Sequence, residues 1–227
     1  MSTKNYAVKE KEYFSNIRID VISLLPVNPG QKVLEVGAGA GSSLRYIKEK
    51  GLAAEVTGVE LMKIPGSDQD HPSIDRFQIA NIEHEEINAP KEYFDVVICA
   101  DVLEHLIDPW TMVDKISAYL KKGGLLIVSL PNIRQWKASY RIFIKGDFAY
   151  LPEGQGGVMD KTHLRFFCKK NAWELLSRPQ LNPVYCKPNF VVKALPQGRN
   201  ARIINALTLR LFENLLAVQY LLIAEKK

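Results

Sequence analysis

Residues 32–60 constrain the fold of this chain more than any other stretch. Here an apolar run, a glycine-rich loop, a helical pattern and a second apolar run follow one another. Lys32-Val-Leu-Glu-Val36 reads as a short buried strand, and Gly37-Ala-Gly-Ala-Gly41 follows it directly. Ser42 to Lys50 has helical spacing, with serines at its start and Gly51 just past its end. Glu55-Val-Thr-Gly-Val59 is a second strand, closed by Glu60. Two strands joined through a crossover helix pair in parallel and with a right-handed connection, so a doubly wound α/β fold is expected.

The rhythm continues along the chain. Arg76 to Ile79 and Phe94-Asp-Val-Val-Ile-Cys-Ala100 read as the third and fourth strands. Pro109 to Leu120 reads as a helix with proline in its first turn, and Leu125 to Leu130 as a fifth strand stopped by Pro131. Residues 132–168 break the alternation and read as an insertion rich in glycine and aromatics. A helix over Lys169 to Ser177, a strand over Pro183 to Lys193, a helix over Arg202 to Asn214 and a strand over Leu216 to Glu225 complete the expectation. Upstream, residues 6–25 carry apolar side chains at helical spacing. With 47% hydrophobic and 24% charged residues, residues 1–227 read as one globular domain.

Charge divides the chain. Residues 1–120 hold 12 Lys/Arg and 19 Asp/Glu, whereas residues 121–227 hold 18 and 6. A basic second half favours an anionic partner, such as a phosphate-bearing small molecule or a membrane surface. The cations lack interleaved stacking aromatics, so nucleic acid is not expected. The polar opening MSTKNYAVKEKEYF has no apolar signal core, and no stretch has the length and apolarity of a membrane span. With three widely spaced cysteines, these features lead us to expect a cytoplasmic protein with reduced thiols. The apolar residues Ile203, Ile204, Leu207, Leu211 and Leu215 allow peripheral membrane contact, although burial against the sheet is the simpler expectation.

A Gly-x-Gly-x-Gly loop between strand and helix lets a ligand approach bare backbone. Glu60, at the end of the next strand, suits ribose hydroxyls. A dinucleotide loop would place its third glycine one residue later. Glu35, just before the loop, would repel a pyrophosphate and attract an ammonium or sulfonium group. These features favour S-adenosylmethionine over a nicotinamide dinucleotide.

The residues Val33-Leu-Glu-Val-Gly-Ala-Gly-Ala-Gly41, Gly58-Val-Glu60, Phe94 to Pro109 and Lys121-Lys-Gly-Gly124 resemble those of class I S-adenosylmethionine-dependent methyltransferases. The resemblance implies a Rossmann-like seven-stranded, mostly parallel sheet whose last strand runs antiparallel. It implies that Glu35, Gly37, Ala38, Gly39 and Gly41 surround the methionine portion, that Glu60 and Leu61 lie along the ribose, and that Asn81 and Ile82 meet the adenine. Asn81 stands where an aspartate is common. Asp101 falls at the mouth of the fourth strand, where acceptor and sulfonium meet. The N-terminal segment, residues 1–30, corresponds to a lid helix in such enzymes, with Tyr6, Tyr13 and Arg18 as lid residues.

Two histidines are candidates for chemistry. His105 lies in Asp101-Val-Leu-Glu-His105; some relatives hold Mg²⁺ with such a cluster, but Glu-His-Leu is also widespread where no metal is used, and none is expected here. His163 lies in Asp160-Lys-Thr-His-Leu-Arg-Phe-Phe167, which resembles a segment of small bacterial methyltransferases associated with sugar and surface-glycan biosynthesis. There the insertion covers the active site, His163 is a candidate base and Asp160 its orienting carboxylate, while Phe166 and Phe167 are expected to fill core. The implied reaction is methyl transfer to a hydroxyl or amine of a small acceptor, with a sugar, sugar nucleotide or glycan intermediate preferred. The alternatives are a lipid or quinone-like acceptor, or a module that binds the cofactor without turnover.

Overall fold

The computed structural model describes residues 17–152, 157–190 and 197–227. Their strands are β1 (Lys32–Val36), β2 (Glu55–Glu60), β3 (Arg76–Ile79), β4 (Phe94–Ala100), β5 (Leu120–Pro131), β6 (Leu181–Asn189) and β7 (Gln219–Lys226). The α-helices are α1 (Ile19–Ile22), α2 (Ser42–Glu49), α3 (Pro109–Ser117), α4 (Trp136–Tyr140), α5 (Lys169–Leu176), α6 (Gln197–Leu207) and α7 (Glu213–Leu216).

All seven strands share one sheet in the order β3-β2-β1-β4-β5-β7-β6. Strands β1 to β5 pair in parallel, and β7 runs antiparallel to both neighbours. This is the doubly wound arrangement with an antiparallel last strand. The chain steps outward from β1 to β3, then crosses back to β4. A crevice therefore opens at the C-terminal ends of β1 and β4, where α/β sheets of this kind take ligands.

Alternation along the strands divides the core between the two faces. Leu126 and Val128 pack with Met112, Val113 and Ile116 of α3 and Leu175 of α5. Ile127 packs on the opposite face with Val21, Leu44 and Ile47 of α1 and α2. All six of the aliphatic side chains of β5, α3 and α5 named on the first face are fully or almost fully buried. Each such side chain contributes about 1.5–3 kcal/mol.

Four expectations change. The helix pattern over 6–25 falls largely on residues 1–16, which lie outside the described residues together with Tyr6 and Tyr13. Within them, Arg18 sits at φ −84°, ψ 68°, and only Ile19–Ile22 is helical. The C-terminal helix divides in two because Leu209 and Arg210 take left-handed φ values of 48° and 65°. Burial of this region against the sheet also fails: Leu207 and Leu211 are 78% and 80% exposed. Phe167 is buried as expected, whereas Phe166 is exposed and stacks edge-on against Phe148. Among the described residues, no helix is long and apolar enough to cross a membrane.

Candidate active site

The glycine loop lies at the crevice. Gly37, Gly39 and Gly41 have φ values of 73°, 54° and 82°. A Cβ on Gly37 would stand 2.2 Å from Val102 Cγ2, so a side chain there meets both strain and collision. The Gly37 and Ala38 amides donate to the Val59 carbonyl at 2.9 and 3.1 Å, tying the loop to the end of β2. Glu60 completes the tie: its carboxylate accepts from Gly39 N–H and Leu61 N–H, both at 2.7 Å. A carboxylate oxygen can accept more than one hydrogen bond.

Glu35 is 5% exposed, and its Oε2 has no hydrogen-bond partner among the described residues. Burial pushes its carboxyl up to about 8, the nearby Arg18 cation opposes that rise, and Glu60 adds to it. An orphaned buried carboxylate oxygen is costly. A cationic ligand beside the loop would relieve that cost, and the ammonium of S-adenosylmethionine is such a ligand. A loop whose glycines carry no side chains, flanked by Glu35 and Glu60, therefore fits this cofactor and disfavours a pyrophosphate.

Asn81 takes the third-strand position. Its Oδ1 accepts from Glu83 N–H at 3.0 Å, and its backbone N–H donates to Glu85 at 2.8 Å. The amide is thereby oriented with its NH₂ as the group available to a purine ring nitrogen. Ile82, beside it, is half-buried and packs against the core.

Asp101 occupies the mouth of β4 in a left-handed conformation, φ 57°. It is not open to the crevice alone. Ser129 Oγ and Gln219 Nε2 donate to its Oδ1 at 2.6 and 2.7 Å, and Arg18 donates to its Oδ2. Arg18 also holds Asp20 through two bonds of 2.9 Å, and Asp20 accepts from Asn189. Burial works against the Arg18 charge, but Asp101 and Asp20 outweigh it and raise its pKa. This network draws on positions 18, 20, 101, 129, 189 and 219. Arg18 stood out in the sequence only as a candidate lid residue, and Ser129, Asn189 and Gln219 had no sequence signal.

The insertion returns across the same end of the sheet. Leu164 and Arg165 N–H donate to the Glu104 carbonyl at 2.8 and 3.0 Å. This brings the His163 ring edge-on to His105, with centroids 4.7 Å apart. His105 Nδ1 lies 3.2 Å from the Thr162 carbonyl and His163 Nδ1 lies 3.3 Å from the Val158 carbonyl. A carbonyl only accepts, so both Nδ1 atoms carry a proton. Asp160, 4% exposed, accepts from the backbone N–H and the hydroxyl of Thr162, at 2.9 and 2.7 Å, and so shapes the turn that carries His163. Glu104, His105 and His163 offer ligand atoms within 4.8 Å of one another, a donor set able to hold a divalent ion. The sequence showed the Glu-His pair; its approach to His163 comes only from the fold.

Residues 10–178 match the protein family described as "Methyltransferase domain". Among curated proteins, the chain is 32% identical over 133 residues to a ubiquinone biosynthesis O-methyltransferase of Bradyrhizobium diazoefficiens, covering 55% of this chain and 50% of that protein. A Coxiella burnetii protein of the same name is 28% identical over 206 residues, covering 79% of this chain and 86% of that one. The chain spans about half the length of the first of these relatives. An S-adenosylmethionine-dependent methyltransferase from Mesorhizobium loti shares the fold, with a TM-score of 0.61 at 14% identity over 92% of this chain and 96% of that one. The named relatives belong to ubiquinone biosynthesis rather than to the sugar-associated group that the insertion suggested.

Proposed function

The chain belongs to the methyltransferase-domain family, an enzyme family that uses S-adenosylmethionine, and on that premise we propose that it methylates a phenolic hydroxyl of a quinone-like, lipid-soluble acceptor. The observation that carries this reading is the likeness to ubiquinone biosynthesis O-methyltransferases, one of which pairs with 79% of this chain. It replaces the sugar acceptor preferred from sequence.

Bound S-adenosylmethionine supplies a methyl group on a positively charged sulfur. The residues of the chain do the rest. Glu35 neutralises the ligand's cationic end, Glu60 accepts from ribose hydroxyls, and the glycine loop lets both be reached. The Arg18–Asp101 network fixes the wall of the crevice where donor and acceptor meet. Alignment of this kind can contribute about 7–11 kcal/mol to the barrier reduction. His163 is the residue that would accept the acceptor's hydroxyl proton as the base.

The test is product formation with labelled S-adenosylmethionine. A prenylated dihydroxybenzene should gain label, and a panel of sugar nucleotides should gain none. Label in the sugar nucleotides alone would overturn the reading.

A further inference from the structure

Two segments meet on the loop between β4 and α3, and both hold the same peptide. From one side, Glu83 accepts from Ile107 N–H at 2.8 Å. From the other, the Arg165 guanidinium donates to the Ile107 carbonyl and, at 3.0 Å, to the Leu164 carbonyl. The Ile107 side chain is 58% exposed, so packing does little to fix this peptide and the polar contacts hold it. Its C-terminal side is fixed as well. Asp108 caps α3 by accepting from Thr111 N–H at 3.1 Å, and Pro109 locks the first helical φ. Hydrogen bonds from Thr111 hold the Asp108 carboxyl below its usual range, and the nearby Arg165 cation adds to this.

Each segment also reaches one side of the crevice. Glu83 N–H donates to Asn81 Oδ1, while His84 and Glu85 N–H donate to the Asn81 carbonyl at 3.0 and 2.8 Å, so Asn81 and Glu83 belong to one tight turn. Lys115 Nζ of α3 donates to the Ile82 carbonyl at 3.0 Å and anchors that turn to the helix. On the acceptor side, Arg165 stands two residues from His163. The Leu164 and Arg165 N–H groups donate to the carbonyl of Glu104, which lies in the same loop as Ile107. Short polar steps through residues 104–107 therefore join the Asn81 turn to the insertion.

We propose that Glu83 and Arg165 are positioning residues: by clamping the Ile107 peptide from both sides, they make the seating of the nucleoside on Asn81 fix the place of His163. Arg165 acts through His163, whose backbone it holds two residues away, and Glu83 acts through Asn81 and Ile107. A displacement of about 1 Å in a positioned group can cost about 10²-fold in rate, so loosening the clamp has a measurable effect. The proposal rests on the methyl-transfer reading with His163 as base. By linkage, order in the insertion and binding of the nucleoside favour each other reciprocally.

The test reads His163 in the full chain without any acceptor. Single substitutions identify the His84 and His163 signals in the ¹⁵N-imidazole spectrum. On saturation with S-adenosylhomocysteine, both signals should shift in the wild-type protein. In Glu83→Met and in Arg165→Met, His84, beside the nucleoside, should still shift, whereas the His163 response should fall at least about threefold. Glu83→Gln, which keeps an acceptor for Ile107 N–H, should respond like wild type. Arg165→Met should also lower kcat about tenfold at unchanged affinity for S-adenosylhomocysteine, yet less than about twofold in the His163→Ala background. A full His163 response in both Met variants would overturn the proposal, as would an equal kcat loss with and without His163. A wild-type His163 signal that ignores bound S-adenosylhomocysteine would overturn it too. If His84 also fails to respond, the cofactor site falls with it. The expected His163 coupling, with no label entering any dihydroxybenzene, would sink the acceptor reading and leave the clamp standing.

Discussion

Arg18→Met tests whether the polar network at the mouth of β4 is a structural unit. The substitution keeps an apolar stem of similar length and removes the guanidinium. Asp101 and Asp20 then lose their cation, at side-chain exposures of 23% and 27%, with Arg18 itself at 16%. Breaking a fully buried pair costs about 3–5 kcal/mol, whereas an exposed pair is worth about 0–1 kcal/mol. These exposures lie nearer the buried case, so the expected loss is about 2–3 kcal/mol. For a chain of this size that lowers Tm by about 4–12 °C. Asp101→Asn in the Arg18→Met background should cost less than it does alone, with a coupling of about 1–2 kcal/mol. Urea unfolding of the four proteins in the cycle measures it. A loss under about 0.5 kcal/mol for Arg18→Met, or strict additivity, would refute the network.

Three further outcomes follow from the site. The Glu35 carboxyl sits near 8 when folded, above its ordinary 4.5, so the folded state holds more protons than the unfolded one between those values. Its contribution to stability is therefore present below about pH 4.5 and is lost as pH rises through 8; binding of a cation needs the ionised form, so S-adenosylmethionine affinity should rise by up to about tenfold per unit toward pH 8 and then level, a slope that Glu35→Gln abolishes in calorimetry. Gly37→Ala should abolish cofactor binding, since its Cβ would overlap Val102 and the left-handed backbone adds roughly 1–2 kcal/mol of strain; unchanged affinity would place the ligand elsewhere. His163→Ala should lower kcat by about 10²–10⁴ with cofactor affinity intact, and a loss that shrinks at high pH, where the acceptor hydroxyl ionises unaided, would separate a base from a scaffold residue.

Much of the frame was readable because it depends on local chemistry. β1, β3 and β4 occupy the residues that their apolar runs predicted, and the glycine loop and Glu60 lie where their spacing put them. The missing parts depend on contacts between distant residues. Arg18 reaches Asp101, Ser129 and Gln219 across 83, 111 and 201 positions, and no local pattern records such a meeting. The Glu104–His105–His163 grouping likewise requires the insertion to fold back over the β4 loop. Trp136 and Tyr140 of α4 stand four residues apart, as on a buried helix face, yet are 51% and 47% exposed. Sequence periodicity identifies a face without saying what covers it. The same ambiguity made burial of Leu207 and Leu211 the simpler expectation.

Glu35, the glycine loop and Glu60 form the pocket on which the proposed activity depends most. Isothermal titration of the wild-type protein with S-adenosylmethionine, S-adenosylhomocysteine and NAD tests it directly. Both adenosyl ligands should bind saturably, with binding weakened by Glu35→Gln, and NAD should not bind. Saturable NAD binding without adenosyl binding would contradict it.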